Sequence, residues 1–224
     1  MDDVSRYQLV VFDWDGTLMD STGGIVKAIQ AASRDLGFDV PTDLEAAWVI
    51  GLSLDKALAH LVPDLSDRDR DLYLERYRYH YLTGDAELRL FDGVIPMLEG
   101  LSKQGVMLAV ATGKSRVGLE RALKSSGIGP HFAVTRCADE THGKPHPRML
   151  LEIMADLATE PDSVVMIGDT SHDLSMAANA GVHGLGVTYG AHPETELRAH
   201  PHQDILSSVA GVHDWLTPRT RGIT

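Results

Sequence analysis

The 224-residue chain has a single cysteine, Cys137, so no internal disulfide can form. A small core residue in a reducing compartment is the expectation for it. Basic charge is scarce as well: 32 Asp and Glu against 20 Lys and Arg leave a formal net charge of −12. That balance excludes the broad Lys/Arg surface that displaces counterions from nucleic acid, and it leaves room only for a local anion site. No stretch approaches the roughly 18 apolar residues that span a bilayer, and the first residues carry Asp2 and Asp3 rather than a basic region before an apolar one. No membrane contact and a cytoplasmic location are therefore expected. No Cys/His cluster suits zinc, and no internal repeat or low-complexity tract is present.

Hydrophobic residues make up 43% and charged residues 23%, ordinary values for a folded globular chain, and the length allows one or two domains. Leu9 to Phe12 is an apolar run that meets Asp13 and Gly16, the pattern of a buried strand ending in a polar loop. Runs of the same kind occur at Met107 to Ala111, Phe132 to Thr135, Val164 to Ile167 and Leu185 to Thr188. Between them lie helical patterns at Val94 to Lys103, Val117 to Ser126, Pro147 to Leu157 and Leu174 to Ala180, closed mostly by Gly105, Gly127 or Gly181. Alternation of this kind predicts an α/β fold with a doubly wound, Rossmann-like parallel sheet, which binds ligands beyond the carboxyl ends of its strands.

The segment from Met19 to about Leu88 reads differently. Ile25 to Leu36, Leu44 to Val49, Leu54 to Leu61 and Arg68 to Tyr81 all carry helical spacing, and no strand pattern interrupts them. A small all-helical cap over 19–87, inserted in a core formed by 1–18 and 88–224, is the economical organisation, with Asp85 to Phe91 as return hinge. The basic and aromatic run Arg76 to Tyr81 could stack on RNA, but one helix of the cap accounts for it equally. The tail from Thr217 is expected to fray.

Chemistry-bearing residues follow four of the strand runs. Asp13 and Asp15 stand two apart after the first, so extended backbone would lean both the same way; Gly16 permits a sharp turn and Thr17 can bond locally to hold the loop. Thr112-Gly113-Lys114-Ser115 offers a hydroxyl, a bare backbone position and a helix N-cap, a combination that suits phosphate oxygens. Lys144 lies in His142-Gly143-Lys144-Pro145-His146-Pro147, a stiff loop that delivers a point charge; the two histidines are read as structural or solvent-facing. Asp169 and Asp173 follow the fourth, the latter also placed to serve a helix N-terminus. Each element alone has an ordinary explanation as a turn or a cap. Together, at four strand ends of one sheet, they imply a carboxylate-rich pocket that a hard cation must neutralise, and Mg2+ fits best. Asp13 is then the expected nucleophile, with Thr112, backbone amides and Lys144 around the phosphoryl oxygens. Asp15, beside other carboxylates, is expected to have a raised proton affinity and to act as general acid and base. Asp169 is the expected metal ligand, together with Asp13 and the main-chain carbonyl of Asp15, and Asp173 a ligand or close neighbour.

In order, DWDGTLMDS, ATGKSR, GKPHP and GDTSHD resemble the four motifs of the haloacid dehalogenase superfamily, over Asp13 to Asp173. The helical insertion is similar to the cap of the subgroup containing phosphoglycolate phosphatases and β-phosphoglucomutases. The resemblance implies the same roles: Asp13 nucleophile, Asp15 acid and base, Thr112 and Lys144 phosphate-binding, Asp169 on the metal. Halide-removing members lack the acid at Asp15, so dehalogenation is not implied. Gly113 departs from the Asn of many relatives, and Trp14 is bulkier than usual between the acids. Substrate choice resides in the cap, where Gly51, Ser53 and Lys56 are candidates. A phosphatase acting on a small phosphorylated metabolite, as monomer or homodimer, is the leading expectation. A β-phosphoglucomutase-like phosphotransferase is the first alternative, although Thr22 to Lys27 lacks the cap histidine of mutases. A pyrophosphatase or nucleotidase and an idle binding protein are the others.

Overall fold

The computed structural model describes residues 7–63, 65–84, 89–220 and 222. In chain order the elements are β1 (Leu9–Phe12), β2 (Met19–Asp20), α1 (Thr22–Leu36), α2 (Asp43–Trp48), α3 (Leu54–Leu61), α4 (Asp67–Gly84), β3 (Arg89–Leu90), α5 (Val94–Lys103), β4 (Met107–Thr112), α6 (Arg116–Ser126), β5 (Val134–Cys137), α7 (Arg148–Leu157), β6 (Val164–Gly168), α8 (Ser171–Ala180), β7 (His183–Val187), α9 (Glu194–Leu197), β8 (Asp204–Leu206) and α10 (Val209–Leu216).

Six strands form one parallel sheet in the order β5-β4-β1-β6-β7-β8. This is the doubly wound core expected. Strand β1 is apolar throughout because its alternate residues feed both faces: Val10 and Phe12 pack with α5 and α10, Leu9 and Val11 with α7 and α8. From β1 the chain builds outward to β4 and β5 on one side and to β6, β7 and β8 on the other. The crevice at the carboxyl ends of β4, β1 and β6 is therefore the switch point where such sheets bind ligands.

The helical segment α1 to α4 has two apolar clusters of its own, one around Ile29, Ala46 and Tyr81, the other around Ala32, Leu58 and Tyr73. Its two connections to the sheet run side by side, since β2 pairs antiparallel with β3, Met19 opposite Leu90. That ribbon was not legible in the sequence, and it places a strand at Met19–Asp20 where none was expected. Residues 85–88 of the expected return hinge lie outside the described residues. The Arg76 to Tyr81 run divides its work between two faces. Arg76 and His80 grip Asp35 of α1 at 2.6 and 2.7 Å, while Tyr77 and Tyr81 stack inward. Most of the run packs within the helical segment, while Arg78 and Tyr79 stay exposed, Tyr79 under the Arg76 guanidinium.

Of the boundaries that differ from the sequence reading, two do so for evident local reasons. Strand β5 starts two residues late because a 3-10 turn over Gly129–His131, with Pro130 inside it, precedes it. Helix α8 starts three residues early, at Ser171, because Thr170 is a full N-cap. The expected frayed tail is corrected for 217–220: the Tyr7 amide donates to the Arg219 carbonyl at 2.7 Å and Thr220 is buried. Cys137 is buried, and burial pushes its thiol up to about 12, as suits an inert core residue. Among the described residues no helix is long and apolar enough to cross a membrane.

Candidate active site

Backbone geometry at the end of β1 decides where the carboxylates go. Asp13 prolongs the β1–β6 ladder, its amide donating to the Ile167 carbonyl at 2.9 Å, and the chain turns at Gly16, φ 80°. A Cβ at Gly16 would fall on the Asp169 carboxylate, which is why the turn requires glycine. Thr17 does not bond locally as expected. Its hydroxyl donates to Asp169 Oδ1 at 2.8 Å, tying the β1 loop to the β6 loop.

Asp13, Asp169 and Asp173 converge: one carboxylate oxygen from each lies within 4.8 Å of the others, and all three side chains are buried. Lys144, itself fully buried, sits at 2.7 Å from Asp13 Oδ1 and 2.6 Å from Asp173 Oδ1. Asp173 Oδ2 caps α8 through the Thr170 amide and hydroxyl, at 3.1 and 2.6 Å. Asp173 thus caps the helix with one oxygen and turns the other toward the metal-capable cluster. The Ala191 amide and Thr17 occupy the two oxygens of Asp169. Asp13 Oδ2 accepts no hydrogen bond although it is buried.

Burial pushes Asp13 well above the usual carboxylate range; Lys144 opposes this, and Asp173 and Asp169 reinforce it. Burial, with Asp173 next, pushes Asp169 up to about 7. Burial alone would lower the Lys144 ammonium, but Asp13 and Asp173 outweigh it and hold the charge on. Three carboxylates against one ammonium leave the cluster short of about two positive charges. An orphaned buried oxygen on Asp13 and an all-oxygen donor set are what a hard divalent cation requires, so the residues fit such an ion.

Asp15 is outside this cluster. Its carboxylate accepts from Lys114 Nζ at 2.8 Å on both oxygens and from the Ser21 hydroxyl at 2.6 Å. The carboxylate neighbours expected for it are replaced by an ammonium and a hydroxyl, and its side chain is not among the metal-capable group. Lys114 and Ser21 are the site residues that sequence reasoning missed. Lys114 stood in the quoted ATGKSR motif, but its partner lies 99 positions away.

Thr112 closes β4 and accepts from the Lys114 amide at 3.2 Å, and Ser115 caps α6 as read. Gly113 faces the helical segment: a Cβ there would stand 2.5 Å from the carbonyls of Gly51 and Leu52. The departure from Asn thus has a physical reason, since the 51–52 loop occupies the side chain's place. Gly51, at φ 89°, lies over the site, its ideal Cβ position 3.9 Å from Asp13 Oδ2. Lys56 reaches the β5–α7 loop, donating to the carbonyls of Gly143 and Lys144 at 3.0 and 3.1 Å, and Ser53 caps α3. Of the three cap candidates only Gly51 lines the cavity above Asp13; Ser53 and Lys56 instead build the seam. A second seam forms at the Trp48 carbonyl, which faces His172 Nε2 at 2.9 Å and His192 Nε2 at 3.0 Å. Burial lowers both imidazoles, His172 to about 4, so they sit there neutral. His142 and His146 are exposed and stack on each other, as expected of non-ligands.

Gly113→Asn is expected to push the 51–52 loop off the site and lower kcat/KM by about tenfold or more, because displacements of this size at a reacting centre are costly, while thermal stability moves little. Steady-state kinetics with a melting curve check it.

The strand-end carboxylates, the buried lysine and the inserted helices define a hydrolase site on a doubly wound sheet. The chain belongs to the haloacid dehalogenase-like hydrolase family, whose model matches residues 10–187. It is 35% identical over 209 residues to "Probable phosphatase IndB" of Dickeya dadantii, covering 91% of each chain. It is 33% identical to a 5'-nucleotidase of Pseudomonas aeruginosa, over 94% of this chain and 96% of that one. Other relatives, at 30% identity, are named phosphoglycolate phosphatase. Among solved structures, a haloacid dehalogenase-like hydrolase from Bacteroides fragilis superposes with a TM-score of 0.85 at 29% identity, over 92% of this chain and all of that one.

Proposed function

We propose that this chain is a Mg2+-dependent phosphatase that hydrolyses a phosphate monoester of metabolite size through an aspartyl-phosphate on Asp13, with α1 to α4 acting as its cap. The observation that carries this reading is Asp13 itself: buried, with Oδ1 on Lys144 and Oδ2 unengaged, facing a cavity that Asp15 and Thr112 also line. Asp13, Asp169 and Asp173 would hold the ion, which when bound supplies positive charge for the carboxylates and the phosphoryl oxygens.

A carboxylate oxygen of Asp13 attacks phosphorus as the bond from phosphorus to the ester oxygen breaks, and the leaving alkoxide takes a proton from Asp15. Water then attacks phosphorus, giving its proton back to Asp15, and the bond to Asp13 breaks to release inorganic phosphate. Lys114 and Ser21 hold the Asp15 carboxylate in the orientation it needs for both transfers. Lys144 and the Thr112 hydroxyl serve the phosphoryl group. Closure of the 49–52 loop over Asp13 excludes bulk water. The names of the relatives make phosphoglycolate the reference substrate.

The test is phosphate release from phosphoglycolate, sugar phosphates, a nucleoside monophosphate and an aryl phosphate, with Mg2+ and with chelator. Release that needs Mg2+ supports the reading; no release from any ester sinks it, and transfer of the phosphoryl group between sugar positions would indicate a mutase.

The raised proton affinities give a metal-binding prediction with a definite sign. Asp169 binds its proton in the metal-free native state up to about pH 7 but only to 3.8 when unfolded. The stability this contributes is complete below the unfolded value and is lost as pH rises through the folded one. Saturating Mg2+ competes with those protons, so the rise in melting temperature it causes should be larger at about pH 8 than at about pH 5. Differential scanning fluorimetry at both pH values reads it, and an equal rise would remove Asp169 from the ligand set.

A further inference from the structure

Above Asp13 and Asp15 the cavity does not stop at the phosphate site. It extends to about 470 Å³ into the space between α1, α3 and α4, within the range of built ligand pockets. The inner walls are Ile29 from α1, Leu54, Leu58 and Leu61 from α3, and Tyr73 and Tyr77 from α4. Two of its tyrosine hydroxyls are engaged. The Tyr73 hydroxyl bonds to the Ile29 carbonyl at 3.0 Å and to Ser33 at 2.7 Å, and the Tyr81 hydroxyl accepts from Lys114 at 3.1 Å. Its charged lining residues are Asp13, Asp15 and Lys114 at the sheet, and the exposed Arg78, Arg121 and Asp139 at the rim. The same rim carries Leu82 and Val117, exposed at 49% and 78%, so the entrance is apolar as well.

We infer that this chamber receives the alcohol portion of the substrate, and that this portion is a bulky apolar group, aromatic or branched aliphatic, rather than glycolate or a polyol. The inference rests on the phosphatase reading and narrows its substrate. Glycolate would leave most of the chamber empty, and an unfilled apolar space forfeits the packing contacts of its walls. A sugar would bury hydroxyls against Ile29, Leu54, Leu58 and Leu61 and beside the Tyr73 hydroxyl, which is already engaged twice, and each unpaired hydroxyl is unfavourable. Flat tyrosine faces and aliphatic side chains instead match a ring or branched chain.

The experiment compares alkyl esters of similar leaving-group acidity, so that intrinsic reactivity does not decide the outcome: 2-(1-naphthyl)ethyl phosphate, glycerol 3-phosphate and thymidine 5'-monophosphate, with Mg2+. The naphthylethyl ester is expected to lead glycerol phosphate by about tenfold or more in kcat/KM, the scale on which an apolar pocket discriminates. In Ala57→Phe, which fills the chamber from α3, that ratio should fall by about tenfold. Leu82→Asp, at a half-exposed rim position, should lower the same ratio through KM. A ratio of one or less in the wild type, a nucleotide preferred over the naphthylethyl ester, or a ratio unmoved in both variants overturns the inference. Absence of turnover of every ester would be a failure of the phosphatase reading alone. In that case calorimetry with 2-(1-naphthyl)ethylphosphonate and methylphosphonate still decides: tighter binding of the former by about tenfold supports the chamber, and equal binding overturns it.

Discussion

Asp13→Asn is expected to lower kcat by at least about 10⁴-fold with the fold intact, because an amide oxygen cannot displace the ester oxygen and no second carboxylate stands in its place. Asp169 has both oxygens committed to Thr17 and Ala191, and Asp173 is held by Lys144 and Thr170, so neither is free to attack. The stability change separates a chemical loss from a structural one. Burial raises the proton affinity of Asp13, so its ionised form is disfavoured by the native state near neutral pH, and a neutral isostere removes that penalty. Lys144 keeps Asp173 as its counterion. The variant should therefore melt at the same temperature or higher in metal-free buffer, and gain less from Mg2+ than the wild type. An inactive variant that also melts well below the wild type would leave the nucleophile unidentified; an active one would exclude Asp13.

The parts of this site carried by strand ends were legible because a buried parallel strand is apolar along its whole length and stops abruptly at its functional residue. Leu9 to Phe12 before Asp13 and Val164 to Gly168 before Asp169 show that stop plainly. Helices α3 and α5 fell where their periodicity put them. The pairing of side chains was not legible. Both Asp13 and Asp15 follow β1, yet one meets Lys144 and the other Lys114, and nothing local distinguishes those lysines. Contacts made by main-chain atoms were equally hidden: the Trp48 carbonyl between two histidines, and the Gly51 and Leu52 carbonyls that leave no room for a side chain at 113. The short elements β8 and α9 lack the length to show a period. Helix α10 does carry Val209, Val212 and Leu216 at helical spacing after the Ser208 cap, a signal present in the sequence but unused.

Lys144→Met should damage both stability and catalysis, and the two losses should respond differently to conditions. The ammonium is fully buried between Asp13 and Asp173. Removing one member of a buried ion pair leaves its partners uncompensated, which costs about 3–5 kcal/mol. Methionine fills much of the same volume, so packing contributes little to that figure. The orphaned carboxylates have one escape, which is to bind a proton, and the direction of the Asp13 and Asp169 shifts shows that this cluster already favours protons. The loss should therefore be smaller at about pH 5 than at about pH 8 in urea unfolding, and Mg2+ at the higher pH should recover part of it by supplying the missing positive charge. Catalysis has no such substitute. On the proposed role of Lys144 at the phosphoryl oxygens, kcat should fall by about 10³-fold even where Mg2+ has restored stability. A variant whose activity returned together with its stability would show that Lys144 serves the fold and leaves the phosphoryl group to other donors.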